Sequence, residues 1–363
     1  MKEVDVLDVT LREGGYVLDL GFTAADTRRI AGALEAAGVR YIEIGHAWGL
    51  NAAACGFGDA AETDDGYLAV AADTLTHAKF GMFCLAGVTR AEDLRRAASY
   101  GMGFARIGAD ASVVEEVAPL VYAARECGLF VTCNLMKSYT LEPNVFAKKI
   151  NLVQTFGAQV AYLVDSAGGM LPREVERYCR TVTDTCDLPL GFHGHENLGL
   201  AVANTLVAAE SGARMLDGSL QGLGRSAGNA ALELLIAVLH RRGIATGIDL
   251  IAVLDAGEAL ARPFVTRRGI SSLDVSIGAA QFHSSNLEPV LTVASEYGVD
   301  PRMLIHEVCK VDRVNAPPDV VRAAAQRIAG SRATDHLTAE SSLHSAPRAQ
   351  HSTAPFDGSD LNV

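Results

Sequence analysis

The chain lacks the features that would make several functional classes easy to assign. Its 363 residues include seven cysteines, Cys55, Cys84, Cys127, Cys133, Cys179, Cys186 and Cys309, an odd number without a CxxC pair. That spacing excludes a disulfide scaffold and a zinc–thiolate module, and reads as a reduced, cytoplasmic protein. Basic excess is absent too. Lys and Arg total 31 against 43 Asp and Glu, a formal net charge of −12, which argues against nucleic-acid and anionic-membrane partners. No uninterrupted apolar run reaches the roughly 20 residues of a spanning helix. The opening MKEVDVLDVTLREGG enters a strand pattern without a signal-peptide h-region. Aromatics are sparse at 6%, with one tryptophan, Trp48.

What is present is alternation. Eight short apolar runs, 4–10, 40–45, 79–85, 104–109, 129–135, 160–166, 188–195 and 214–220, are each followed by an amphipathic stretch. In 23–38, Ile30 and Leu34 lie one helical turn apart, Thr23 is a candidate N-cap and Gly38 a candidate C′ residue. Several other helical segments end in Gly just before a strand. Strict β/α alternation implies a parallel sheet, and eight units favour closure into an α/β (β/α)8 TIM barrel over a doubly wound sheet. The expected division is a barrel over 1–260, a small helical C-terminal domain over 261–330 and a disordered Ser/Ala/Thr-rich tail over 331–363. The tail's histidines, His336, His344 and His351, have no ligand-like framework.

The segment GFHGHENLGLAVANT, residues 191–205, places His193 and His195 one residue apart at a strand end. Residues i and i+2 of a strand share a face, so both imidazoles project to one side at the mouth where barrel active sites form. Two satisfied core histidines are the alternative. A third ligand should come from a neighbouring strand end and carry charge. Strand one ends in DVTLREGG, where Arg12 and Glu13 precede Gly14 and Gly15, read as a flexible turn. Glu13 with His193 and His195 makes a two-His-one-carboxylate set, which leaves positions open for water or a bidentate 2-oxo acid. Asp8, in an otherwise apolar strand, needs a partner; it is expected to orient Arg12 or to support the metal from behind. Asp165 and Ser166 end strand six and face the mouth as substrate-binding candidates, or else form a turn. The glycines of DGSLQGLGRSAGNAALE (217–233) do not make GxGxxG, and the loop is expected to line the mouth, with Asn229 reaching metal or substrate.

Together, DVTLREGG, YIEIGHAWGL, VDSAGGM, GFHGHENLGLAVAN and DGSLQGLGRSAGNAALE, in this order, resemble the 4-hydroxy-2-oxovalerate aldolase family of the DRE-TIM metallolyases, the HMG-CoA lyase-like superfamily. The resemblance covers residues 4 to about 325. It implies a class II aldolase that acts through a metal-bound pyruvate enolate on a 4-hydroxy-2-oxo acid, or on pyruvate plus an aldehyde. The implied cofactor is a divalent metal on Glu13, His193 and His195, Mn2+ first, with Mg2+, Co2+ or Zn2+ as alternatives. Arg12 would stabilise the enolate oxygen. The family usually has Asp where Glu13 stands; the homocitrate synthase branch has Glu.

Other departures lie at the base. The aldolases carry a His acid/base residue where this chain has Tyr16, and tyrosines where it has Ala279 and His283. A Tyr16–His283 proton-handling pair is one reading of that exchange, and Trp48 marks an altered pocket. A homocitrate or isopropylmalate synthase-like Claisen condensation and a non-catalytic barrel subunit stay open beside the aldolase. In the aldolase family the C-terminal region docks an acylating aldehyde dehydrogenase; the sequence decides neither that partner nor a homo-oligomer.

Overall fold

The computed structural model describes residues 3–19, 21–266 and 269–343. Eight strands, β1 (Asp5–Asp8), β2 (Tyr41–Ile44), β3 (Lys79–Leu85), β4 (Phe104–Asp110), β5 (Phe130–Met136), β6 (Val160–Asp165), β7 (Leu190–Gly194) and β8 (Met215–Gly218), pair in chain order. All pairings are parallel, and β8 closes on β1 from Asp5 opposite Met215 to Asp8 opposite Gly218. The chain is therefore a (β/α)8 barrel, and the doubly wound alternative falls.

Local chemistry explains the outer layer. The helix Ala24–Ala36 starts at Thr23, whose hydroxyl accepts the Asp26 N–H while the Asp26 carboxylate accepts the Thr23 N–H, a capping box. Ile30, Ala31 and Leu34 form its buried stripe, and Gly38 follows its end at φ +92°. Large aliphatic side chains of this kind each stabilise the fold by roughly 1.5–3 kcal/mol on burial.

The barrel interior is layered. Tyr41, Phe104 and Met215 pack in or against an apolar cluster with Leu7, Val9 and Tyr162. Two residues further along the same strands, and so on the same face, stand Glu43, Arg106 and Asp217. Gly81 of β3 makes the inner packing possible, since a Cβ there would lie 2.4 Å from the Phe104 carbonyl oxygen.

Beyond the barrel the helices Ser272–Ala280, Leu287–Tyr297, Pro301–Cys309 and Pro318–Leu343 build a second apolar cluster around Phe282, Val290, Leu304, Ile305 and Val321. It rests on the carboxyl-end loops of the barrel. A Cβ on Gly169, after β6, would sit 2.2 Å from the Gly278 carbonyl oxygen, so the two backbones touch directly. Asn197 Nδ2 donates to the Asp274 carbonyl at 3.1 Å, and Lys137 Nζ to the Val314 carbonyl at 2.9 Å. The last helix runs past residue 331, where lost periodicity set the expected start of a disordered tail; residues 344–363 lie outside the described residues. Among the described residues no helix is long and apolar enough to cross a membrane.

Candidate active site and metal centre

Strand β1 does not run into a flexible turn. A single helical turn, Thr10–Glu13, follows it, and a 3₁₀ turn, Gly14–Val17, comes next. Gly14 has φ −62°, so its freedom at positive φ is unused. The glycines serve space instead: a Cβ on Gly14 would meet Phe22 at 2.9 Å, and one on Gly15 would meet Ala47 at 3.3 Å. This turn aims Arg12 and Glu13, both buried, into the mouth.

His193 is the penultimate residue of β7 and His195 follows the strand, held by a bridge to Asn229. Their rings stand 5.0 Å apart at 87°. His193 Nδ1 meets the Asp217 carboxylate at 2.8 Å, and His195 Nδ1 meets the Gly228 carbonyl at 3.1 Å. Both contacts place the proton on Nδ1 and leave Nε2 as the ligand atom, the outer-sphere arrangement typical of metal-bound histidines. The Nε2 of His193 lies 3.9 Å from Glu13 Oε1, and one ligand atom from each of Glu13, His193 and His195 falls within 4.8 Å of the others.

The donor set fits a divalent cation. Two imidazoles and a carboxylate suit Mn2+, Fe2+ or Zn2+, and Glu13 Oε2 is buried without a hydrogen-bond partner. Burial alone would raise the Glu13 pKa, but Arg12, His195, His193 and Arg225 together outweigh it and hold the carboxyl well below the usual range. Burial first, and then Arg225, lowers His195 to about 3, so its Nε2 carries no proton, and its lone pair faces the Arg225 Nη2 at 3.3 Å.

Beneath these residues runs a buried chain of alternating charge. Arg12 bonds Glu13 and, through Nε at 2.8 Å, Glu43. Arg106, fully buried, bonds Glu43 at 3.0 Å, Asn134 at 2.9 Å and Asp217, which reaches His193. Arg12 also lies over the Phe83 ring, 4.8 Å from its centroid. Sequence reasoning missed Glu43, Arg106 and Asp217, which brace the candidate ligand set from behind. The signal was available: like Asp8, each is a charge set in an apolar strand run.

Above the ligand set lies a cavity of about 140 Å³. Tyr16 and His283 both line it, as do Ser166 and Trp48. Burial, then Glu13, pushes the Tyr16 phenol up to about 12; burial, then Arg225, takes His283 well below its ordinary value. Tyr16 is thus protonated and His283 neutral. The two rings do not bond each other. Arg225 stands between them, its Cζ 5.9 Å from the Tyr16 centroid and its Nη1 3.2 Å from His283 Nε2.

Three expected site residues turn elsewhere. Asp8 accepts the Thr10 N–H and hydroxyl at 3.0 and 2.7 Å; it bonds Thr10, not Arg12, and the Thr10 hydroxyl in turn accepts the Leu220 N–H. Asp165 accepts the N–H groups of Gly169 and Met170, both at 3.0 Å, and so closes a turn rather than facing the cavity. Asn229 donates to the Leu223 carbonyl at 3.0 Å and braces the loop after β8 outside the cavity lining.

The HMGL-like family profile matches residues 3–260. The chain belongs to the HMGL-like family. Within it, a Streptomyces griseus 4-hydroxy-2-oxovalerate aldolase is 36% identical over 332 residues, 91% of this chain and 98% of that protein. An oxaloacetate decarboxylase of Mycobacterium tuberculosis is 38% identical over 311 residues, 85% of this chain and 92% of its own. The HMGL-like barrel also overlays the carboxyl transferase domain of Rhizobium etli pyruvate carboxylase with a TM-score of 0.74, at 17% identity, covering 91% of this chain and 61% of that one. That likeness concerns the fold alone.

Proposed function

We propose that this HMGL-like protein is a divalent-metal-dependent carbon–carbon lyase of the class II aldolase type. It cleaves a 4-hydroxy-2-oxo acid to a 2-oxo acid and an aldehyde, or runs the reverse addition. The observation that carries the reading is the convergence of Glu13, His193 and His195 beside the Arg12 guanidinium at the barrel mouth. Relatives named as 4-hydroxy-2-oxovalerate aldolases over about nine-tenths of the chain favour it over the Claisen condensation. The intact ligand set with Arg12 speaks against a non-catalytic subunit.

A cation on those three ligands, Mn2+ in our reading, would supply Lewis-acid polarisation of the substrate's 2-oxo group. Arg12, fixed by Glu13 and Glu43, presents a permanent positive charge to the oxygen that gains charge as the C3–C4 bond breaks. The C4 hydroxyl must lose its proton in that step. His283 is the acceptor on cleavage and the donor of that same proton in the reverse addition; Tyr16, protonated, is the other member of the pair across Arg225. Ser166, whose hydroxyl accepts the Lys137 N–H at 2.9 Å, lines the substrate side of the cavity. The C-terminal helices over the mouth are where an acylating aldehyde dehydrogenase would dock to take up the aldehyde.

Incubation with Mn2+ and pyruvate in deuterated water tests the reading without knowledge of the aldehyde. Deuterium enters the pyruvate methyl group in the native protein and not in His195→Ala. No exchange in the Mn2+-loaded native protein would refute it.

A further inference from the structure

The cavity holds three cations of its own, and two are already neutralised. Arg12 pairs with Glu13 and Glu43, and Lys137 pairs with Asp110 at 2.9 Å. Arg225 is different. Among the described residues no carboxylate lies within ion-pair distance of its guanidinium; its polar contacts are Nη1 with His283 Nε2 at 3.2 Å and Nη2 with His195 Nε2 at 3.3 Å. Neither contact is a carboxylate. An ion on His195 would claim one of those lone pairs and leave Nη2 without an acceptor. A half-buried guanidinium with a fork of donors and no counter-ion is a site for an anion, and a planar carboxylate matches that fork in two parallel bonds.

Position decides which carboxylate. The 2-oxo acid end belongs to Glu13, His193, His195 and Arg12 on the cavity floor. Arg225 rises from the loop after β8 and touches His283 and the Tyr16 ring, which handle the proton on the C4 oxygen in the reading above. It thus spans from the metal side of the cavity, at His195, to the proton-handling side at His283 and Tyr16, where a carboxylate on the leaving fragment would meet its fork of donors.

We propose that Arg225 binds a second carboxylate of the substrate, so that this lyase acts on dicarboxylic 2-oxo acids whose leaving fragment is itself acidic. The inference rests on the lyase reading and narrows its substrate class. The lining side chains Arg12, Glu13, Asp110, Lys137 and Arg225 together carry one net positive charge before any cation binds, which favours a dianion over an uncharged tail. As a positioning residue, Arg225 sets specificity for the leaving fragment.

The test uses two non-cleavable probes of the same length, 2-oxoglutarate and 2-oxovalerate, which differ by a carboxylate in place of a methyl group. Trp48, the only tryptophan, lines the cavity and packs edge-on against Tyr16 at 5.3 Å, so its fluorescence reports occupancy. In the Mn2+-loaded native protein 2-oxoglutarate binds at least about tenfold tighter than 2-oxovalerate, the worth of one charge-assisted contact. Arg225→Ala erases that ratio and leaves 2-oxovalerate within about threefold of native; Arg225→Lys retains part of the ratio. Equal affinity of the two probes for native protein, or equal weakening of both in Arg225→Ala, would overturn the second-carboxylate site alone. Binding of neither probe to Mn2+-loaded native protein would overturn the 2-oxo acid reading beneath it.

Discussion

The floor and the roof of the active-site mouth are built on opposite electrostatic terms. On the floor, every buried cation has buried carboxylates: Arg12 with Glu13 and Glu43, Arg106 with Glu43 and Asp217. On the roof, among the described residues, Arg225 meets only imidazoles and an aromatic face. A paired buried charge is a positioning device, because removing either partner strands the other in low dielectric. An unpaired charge facing a cavity is available to a ligand. The floor thus sets ligand geometry, and the roof is where substrate choice can vary without loss of the barrel.

Four substitutions sharpen that contrast. Arg106→Met takes one of two cations from Glu43 and leaves Asp217 only His193, and should cost about 3–5 kcal/mol of stability, read from urea unfolding; a loss near that of a surface substitution would mean the floor is not held by charge. Asp217→Asn removes the carboxylate behind His193 and should weaken Mn2+ binding by about 10–100-fold while the protein stays folded; calorimetric titration with the metal checks it. Gly169→Ala drives a methyl group into the Gly278 carbonyl and should destabilise by about 1–3 kcal/mol; the C-terminal helices should lose hydrogen-exchange protection before the barrel strands do.

The smallest effect is expected far from the mouth. Glu35 accepts the N–H groups of Thr76, His77 and Ala78 at 2.9, 2.7 and 2.8 Å, leading into β3. Burial opposes its ionisation, but those bonds win and lower its pKa. A depressed folded pKa stabilises above the unfolded value and loses that contribution as pH falls through the folded one. Glu35→Ala should therefore cost about 1 kcal/mol at pH 7, and the gap to native should shrink below about pH 4.5. A gap constant from pH 7 to pH 3 would assign the loss to packing.

Much of the site was legible because its residues sit where strand periodicity fixes direction. His193 and His195 could be placed on one face from the two-residue repeat, and Glu13 followed from the first and seventh strand ends being separated by a single strand in a closed barrel. Thr23 and Gly38 marked their helix by capping chemistry. The misplaced residues share a different trait. Asp8, Asp165 and Asn229 are short polar side chains beside turns, where bonding to nearby backbone competes with reaching a cavity. Arg225 went unremarked because a lone arginine in a glycine-rich loop carries no periodic signal.

The residue order by itself settled the eightfold β/α alternation and marked Glu13, His193 and His195 as candidates for one cluster at the barrel mouth, because these depend on local periodicity and on which strand ends lie near one another. Only the tertiary structure decided that Arg106 ties three strands into one charged layer, that Gly169 and Gly278 let the helical cluster rest on the mouth, and that Arg225 faces the cavity without a counter-ion. Those facts depend on distances between residues about 60 to 110 positions apart in the chain, which burial and barrel closure impose and no local pattern encodes.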